Sequence, residues 1–259
     1  MEQLLERLRK VNEIFEKKNA SGFSFDEISD ILGNMMESNM YIVSSKGRLL
    51  GVHFVKVEDA ESIHENRAFP EAESTNFLKI EETINNVAGD EAKKVFPETL
   101  TEEAYRFKKI HLIIPVYGGG LRLGTLVFCR YSPEYTLEDV ILGEHVATIV
   151  GIEIERRRNK RLEEKRRKRQ MALVALDSLT WSELQALYFV FQELGGDNDL
   201  VVASKIADRE HITRSIIVNA LKKIESAGIV ETRSYGQKGT KVKVLNDMFR
   251  EELEKKHIS

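Results

Sequence analysis

ASKIADREHITRSIIVNAL, residues Ala203–Leu221, reads as two short helices joined by a tight turn. Ala207 is small where a second helix must pack close, and Ile206, Ile212, Ile217 and Ala220 fall where two crossed helices would share a core. Thr213 stands at the start of the second helix, where its hydroxyl is expected to accept from the first backbone N–H groups. The turn calls for a left-handed residue, commonly Gly. Here it is His211, one of the non-glycine types that tolerate that region. Arg214, Ser215, Asn219 and Lys222 are left on the remaining face, with Ser204 and Lys205 at the start of the first helix. An α-helix fits the major groove of DNA, and these side chains can bond base edges or phosphates. The spacing predicts a helix-turn-helix. The bland alternative is a helical hairpin with a polar outer face.

The segment after the motif favours DNA. IVETR (229–233) alternates as a strand, SYGQKGT (234–240) is a turn with two glycines, and KVKVL (241–245) alternates again with lysines outward. Helix-turn-helix plus hairpin is a winged helix, and Lys238 and Lys241 join the residues expected to touch DNA. Residues 203–243 carry about nine Lys/Arg against about four Asp/Glu, and charge of that sign meeting phosphate gives salt-sensitive affinity.

Composition bounds the rest. The 259 residues are 42% hydrophobic and 31% charged, which suits about two globular domains. No apolar run is long enough for a membrane span, and MEQLLERLRK lacks a secretory core, so a cytoplasmic protein is expected. Cys129 is the one cysteine, so neither an internal disulfide nor a thiolate metal cluster is expected, and the six histidines show no metal-ligand spacing. The net charge of −3 hides a division: about ten positive and three negative charges lie in 155–169, and roughly −9 is left for residues 1–154. An acidic half joined to a basic one is a common layout for a sensor fused to a DNA reader.

From the N-terminus, Leu4, Leu5, Leu8, Val11, Ile14 and Phe15 form a helical stripe, broken at Asn19–Gly22. Ser24 is expected to cap a second helix, Phe25–Met36, with Ile28, Ile31, Leu32 and Met35 on one face. MYIV (40–43) and LLGVHFV (49–55) are strands around the polar, basic turn SSKGR, whose simplest reading is a solvated hairpin turn. Residues 56–109 are the least regular; within them Phe69-Pro70 and Phe96-Pro97 could tuck an aromatic into the core or line a pocket. IHLIIPV (110–116) and LRLGTLVFCR (121–130) are strong strands joined by Gly118-Gly119-Gly120. No GxxxxGK[ST] is present and a strand comes next, so the glycines predict a hairpin and not a phosphate loop.

Thr136 is expected to cap one long helix from about 136 to about 177, with Val140, Ile141, Val146, Ile149, Val150, Ile152 and Ile154 as its apolar face. Its charge run is open to three readings: a nucleic-acid patch, a dimer-facing surface, or a solvated face laced by Glu163–Arg167 and Glu164–Lys168. Thr180 and Glu183 form a capping box for a helix with Leu184, Leu187, Tyr188 and Phe191 inside, ended by Gly195-Gly196. Met248–Lys256 reads as a short terminal helix. The fold expected is α+β: an antiparallel sheet with helices over 1–154, a linker helix over 155–178, and a winged helix-turn-helix over 179–259.

The N-terminal layout resembles a GAF domain. VASKIADREHITRSIIVNALKKIESAGIVETRS, GQKGT and KVLN resemble the CodY family of global transcription repressors, as do SNMYIVSSKGRLLG, FPE, IIPVYGGGLRLGTLVF and VGIEI, in the family's order. The resemblance covers essentially the whole chain. It implies a non-enzymatic regulator, a homodimer on double-stranded DNA, with isoleucine (or valine or leucine) and GTP as effectors and no metal. It places the isoleucine pocket at Arg67, Phe69, Phe96 and Pro97, and GTP at Ser44, Ser45, Lys46, Arg48 and Glu153. Two other classes compete: a GAF-based sulfoxide reductase, which needs more cysteines than Cys129 alone, and an architectural DNA-binding protein without a sensed ligand.

Overall fold

The N-terminal stripe folds as α1 (Glu2–Lys18), burying Leu4 and Val11 and packing Leu8 and Phe15 on the same core. Leu5 is 48% exposed; it lies about 100° around the helix from Leu4 and so falls off the buried face. α2 (Phe25–Met36) starts in the expected place, with Ser24 and Glu27 forming a full capping box. The computed structural model describes residues 2–18, 24–55 and 67–258, so the Asn19–Gly22 break and the loop 56–66 lie outside the described residues. The chain divides into two compact units, Met1–Arg157 and Arg158–Ser259.

The first unit is built on an antiparallel sheet of β1 (Asn39–Ser44), β2 (Leu49–His53), β3 (Ile84–Val87), β4 (Ile110–Gly118) and β5 (Leu121–Arg130), in the order β2-β1-β5-β4-β3. Alternate residues of the three inner strands serve two cores. Met40, Ile42, Leu112, Ile114, Leu126 and Phe128 face α1, α2 and the start of α6 (Leu137–Asp177). Tyr41, Val43, Ile113, Val127 and Cys129 face a second cluster. Burial on both faces explains why these strands read as near-continuous apolar runs.

The irregular stretch after residue 66 is more ordered than its sequence suggests. Besides β3 it forms α3 (Glu71–Lys79), α4 (Gly89–Val95) and α5 (Glu102–Arg106), which bury Phe77, Ala92 and Ala104. Short helices with one or two apolar anchors carry too little periodicity to be seen in sequence.

The triple glycine is a hairpin turn, with Gly119 at φ 54° and Gly120 at φ 75°. α6 begins at Thr136, whose hydroxyl accepts from Asp139 N while Asp139 Oδ2 accepts from Thr136 N. Arg130 and Arg7 bond the same carboxylate at 3.1 and 3.3 Å, tying strand and helices together. Gly151 lets α6 approach β4, since a Cβ there would sit 2.2 Å from the Tyr117 carbonyl oxygen. Val146 and Val150 are buried as expected, whereas Ile152, expected on the same face, is 61% exposed and Ile141 39% exposed; Leu142, not expected there, is buried.

In the second unit, α7 (Trp181–Glu193) opens with the Thr180–Glu183 capping box. α8 (Ala203–Glu210) and α9 (Arg214–Ser226) come next, with His211 between them at φ 54°, ψ 36°. Ile206, Ala207, Ile217, Ala220, Leu187 and Phe191 share one core with the last residues of α6, and Ile212 packs against it. The wing is β7 (Val230–Ser234) and β8 (Thr240–Val244), and a third strand unseen in the sequence, β6 (Asn198–Val201), pairs with β8 on its other side. The chain ends in α10 (Met248–Ile258).

His211 occupies a conformation that costs an L-residue about 1 kcal/mol or more. His211→Gly is therefore expected to raise the stability of the second unit by ~0.5–1 kcal/mol, after the greater chain entropy of glycine is offset. Urea unfolding followed at Trp181, the single tryptophan, checks this. A lower midpoint would mean that the imidazole contributes more than its backbone costs.

Candidate nucleic-acid interface and ligand cavity

α9 has two chemically distinct sides. Ile217, Ala220, Leu221 and Ile224 are buried, while Arg214, Ser215, Asn219 and Lys222 are exposed. Ser204 and Lys205 are exposed on the first turn of α8. Thr213 is at the N-cap of α9 with extended backbone, but its hydroxyl does not cap. It lies 3.1 Å from the Ser215 hydroxyl, and no side-chain cap bond is made. The Thr213 backbone takes part in the cap instead, its carbonyl oxygen accepting from Ile216 N at 3.0 Å.

The helix is oriented from behind. Lys223 Nζ donates to Glu183 Oε2 at 2.7 Å, so the residue that closes the α7 capping box also fixes α9. Burial opposes ionisation of Glu183, yet hydrogen bonds from Lys223 and Thr180 hold its carboxyl below the usual range. In the wing, Lys238 and Lys241 are exposed and, among the described residues, form no ion pair, whereas Lys243 is paired with Glu231 at 3.5 Å.

The first unit holds a cavity of about 70 Å³ on the second face of its sheet. Tyr41, His111, Val127 and Cys129 form the floor, and Phe69, Phe96, Thr99, Leu100 and Thr101 are among its walls. Phe69, Phe77, Phe96 and His111 form a chain of ring contacts with centroids 5.1, 5.4 and 4.6 Å apart. Phe69 and Phe96, from separate loops, are thus brought together. Pro97 is exposed outside the lining, and the Arg67 side chain, 64% exposed, pairs with Asp26 at 3.4 Å.

Buried polar groups shape the same wall. Glu73 is fully buried on α3 and accepts from the N–H groups of Glu98 and Thr99 at 3.1 and 2.7 Å. Burial pushes its carboxyl above the ordinary value. Arg122 reaches under α3 to the carbonyls of Phe77 and Ile80 at 3.1 and 3.4 Å. His111 Nδ1 lies 3.1 Å from the Val87 carbonyl oxygen, and burial lowers its imidazole to about 4. Glu73, His111 and Arg122 are not legible in the sequence, because a lone polar residue beside apolar ones carries no spacing signal.

The turn Ser44–Arg48 is a rigid, basic corner. Ser44 Oγ accepts from Arg48 N at 3.1 Å, Ser45 N donates to Leu123 O at 2.9 Å, and Lys46 and Arg48 are exposed. Phe69 N donates to Gly47 O at 3.0 Å, so this turn and the cavity wall share a backbone hydrogen bond. Glu153 is not joined to the turn by any hydrogen bond among the described residues; Arg157 and Arg156 hold its two oxygens at 2.7 and 2.9 Å.

Known proteins share both units. The CodY GAF-like domain matches residues 3–178 and the CodY helix-turn-helix domain matches residues 198–257. The global transcriptional regulator CodY of Thermoanaerobacter sp. (strain X514) is 45% identical over 255 residues, covering 98% of this chain and 99% of its own. That of Lysinibacillus sphaericus is 43% identical over 250 residues, covering 95% of each. Among solved structures, the cofactor-binding GAF domain of the nutrient sensor CodY from Clostridium difficile is 37% identical, with a TM-score of 0.46, over 59% of this chain and 97% of that one.

The cavity histidine makes a pH prediction. His111 is lowered from 6.5 to about 4 in the fold, so its stabilising contribution is complete above 6.5 and is lost as the pH falls from 6.5 towards 4. Glu73, shifted upward, acts in the opposite sense, its contribution being lost as pH rises. Thermal unfolding followed by circular dichroism between pH 7 and pH 4 is expected to show a loss of stability that is smaller in His111→Phe. Equal losses in both proteins would show that His111 is not held neutral.

Proposed function

The chain belongs to the CodY family, and on that premise we propose that it is a DNA-binding regulator of transcription, mainly a repressor, whose operator affinity is raised by branched-chain amino acids and GTP. The relatives it matches over nearly their whole length are global transcriptional regulators, not enzymes. The observation that carries the reading is α9, apolar inward and lined outward by Arg214, Ser215, Asn219 and Lys222, with Lys238 and Lys241 exposed on the wing. Arg, Asn and Ser recognise base edges, and Lys neutralises phosphate. Ser204, Lys205 and Thr213 complete the proposed surface.

The cavity supports the amino-acid part. Its lining combines apolar and aromatic side chains, Phe69, Phe96, Leu100 and Val127, with the polar Thr99, Thr101 and His111, the mixture that small-ligand sites use. At about 70 Å³ it is roughly half the size of an engineered cavity that accepts benzene, so it seats a side chain and leaves the ammonium and carboxylate to the loops around Phe69, Phe96 and Pro97, with Arg67 as the carboxylate's partner after rotation. GTP is assigned to Ser44, Ser45, Lys46 and Arg48, where two cations and two hydroxyls flank one turn, and to Glu153 once its arginines release it. The bond from Phe69 to Gly47 supports coupling between the two effectors. The working arrangement is a cytoplasmic homodimer, each chain reading one half-site, with a sensor over 1–154, a linker helix over 155–178 and a reader over 179–259.

Arg214→Ala and Ser215→Ala are expected to weaken operator binding by ~1–3 kcal/mol each while non-specific binding changes less. Lys238→Ala and Lys241→Ala should weaken binding to all DNA alike and lower the salt slope by about one unit each. Footprinting titrations at several salt concentrations read both effects, and four unchanged proteins would sink the winged-helix assignment.

Isoleucine, valine or leucine at millimolar concentration, with or without GTP, is expected to tighten operator binding ~5- to 150-fold, and Phe96→Ala should lose that response. Operator affinity indifferent to all four effectors would refute the sensor reading.

A further inference from the structure

Only residues 227–229 separate α9 from the wing strand β7. Gly228, in this link, stands at φ 71°, a conformation glycine adopts at little cost. The link supplies a turn but does not by itself fix the angle between helix and wing. β8 runs between β6 and β7, which leaves β7 with a free edge. Thr232 sits on that edge, and its N–H and its hydroxyl both donate to Glu225 Oε1, at 2.7 and 2.9 Å. Glu225 belongs to the last turn of α9. One carboxylate oxygen thus ties the end of the helix to the middle of the wing strand.

Lys223, which donates to Glu183 on α7, lies two positions before Glu225 and so about 200° around the helix. α9 is therefore held by α7 on one side and tied to the wing on another. Lys238 and Lys241 follow Thr232 in the hairpin, and Lys241 pairs in register with Arg233, the next residue. A carboxylate in a body that binds a polyanion weakens the attraction, so what Glu225 contributes is its hydrogen bonds and not its charge. Two contact elements on one rigid mount bind together, the second at high effective concentration once the first is seated. A wing free to swing loses that gain.

We infer that Glu225 is a positioning residue for DNA recognition: it locks the wing to the recognition helix, so that Lys238 and Lys241 reach phosphates while α9 lies in its groove. This rests on the reading of α9 and the wing as the DNA-binding surface.

The test is a salt titration of binding, by fluorescence anisotropy, of the full chain to a duplex that the wild type has selected from random sequence. Glu225→Ala is expected to bind roughly 10-fold or more weakly at about 0.1 M salt, with a salt slope smaller by about two units, one for each wing lysine. Glu225→Gln, whose amide oxygen still accepts from Thr232, should bind nearly as the wild type does. In the Glu225→Ala background, Lys238→Ala and Lys241→Ala should lower the slope no further. Loss of charge alone would make both Glu225 variants bind more tightly, and loss of stability alone would leave the slope unchanged. Either result overturns the inference, as does equal weakening by Ala and Gln. Should Glu225→Ala fail to fold, Thr232→Val, which removes the hydroxyl donor alone, is expected to lower the slope by a smaller amount, and an unchanged slope overturns the inference. Wing lysines that lower the slope equally in wild type and in Glu225→Ala would overturn it and leave the winged-helix reading intact. Wing lysines without effect in the wild type would overturn both.

Discussion

Successive side chains of a strand point to opposite faces, and in the first unit both faces of the three inner strands are covered. Every other property of the unit depends on that constraint. One face must meet long amphipathic helices, so Met40, Ile42, Leu112, Ile114, Leu126 and Phe128 form a dense core with α1, α2 and α6. The other face must be closed by whatever chain remains, and what remains is short. α3, α4 and α5 supply Phe77, Ala92 and Ala104, leaving an unfilled volume where His111, Val127 and Cys129 come up between them. A cavity arises where cover is built from short pieces, because their few anchors cannot interdigitate as a long helix does.

Short helices also need polar anchoring. Glu73 holds the 98–99 backbone from inside, and Arg122 holds the carbonyls at the end of α3. Each leaves one polar atom, Glu73 Oε2 and Arg122 Nε, buried without a hydrogen-bond partner among the described residues. Such atoms cost stability, and both belong to residues that anchor the cover built from short helices. A wall held by a few polar contacts opens more readily than one held by a packed core.

The second unit applies the same division to a single helix. α9 buries Ile217, Ala220, Leu221 and Ile224 and shows its other side to solvent. Its angle is fixed from behind by Lys223 on Glu183, so the exposed side chains are presented by a rigid element, not by a loop. The left-handed His211 sets the corner between α8 and α9. Strain is accepted at that corner because the core shared by Ile206 and Ile217 over-determines it.

The sequence by itself determined the periodic elements. Apolar spacing at periods of two and 3.6 located β1, β4, β5, α1, α2, α6, α8 and α9; side chains that bond their own neighbourhood placed the starts of α2 at Ser24 and of α7 at Thr180; and His211 was legible because few residue types tolerate its φ. Local physics suffices where a residue's partner lies within four positions. Only the tertiary structure decided the rest: that Leu5 and Ile152 are exposed, that Thr213 bonds Ser215 instead of capping, that β6 completes the wing, and that residues 71–106 fold as three short helices and the edge strand β3. It alone brought Phe69 and Phe96 together from loops 27 residues apart in number and set His111 and Cys129 beneath them. Those contacts join distant segments across a sheet, and no spacing within either segment encodes which face the other will cover.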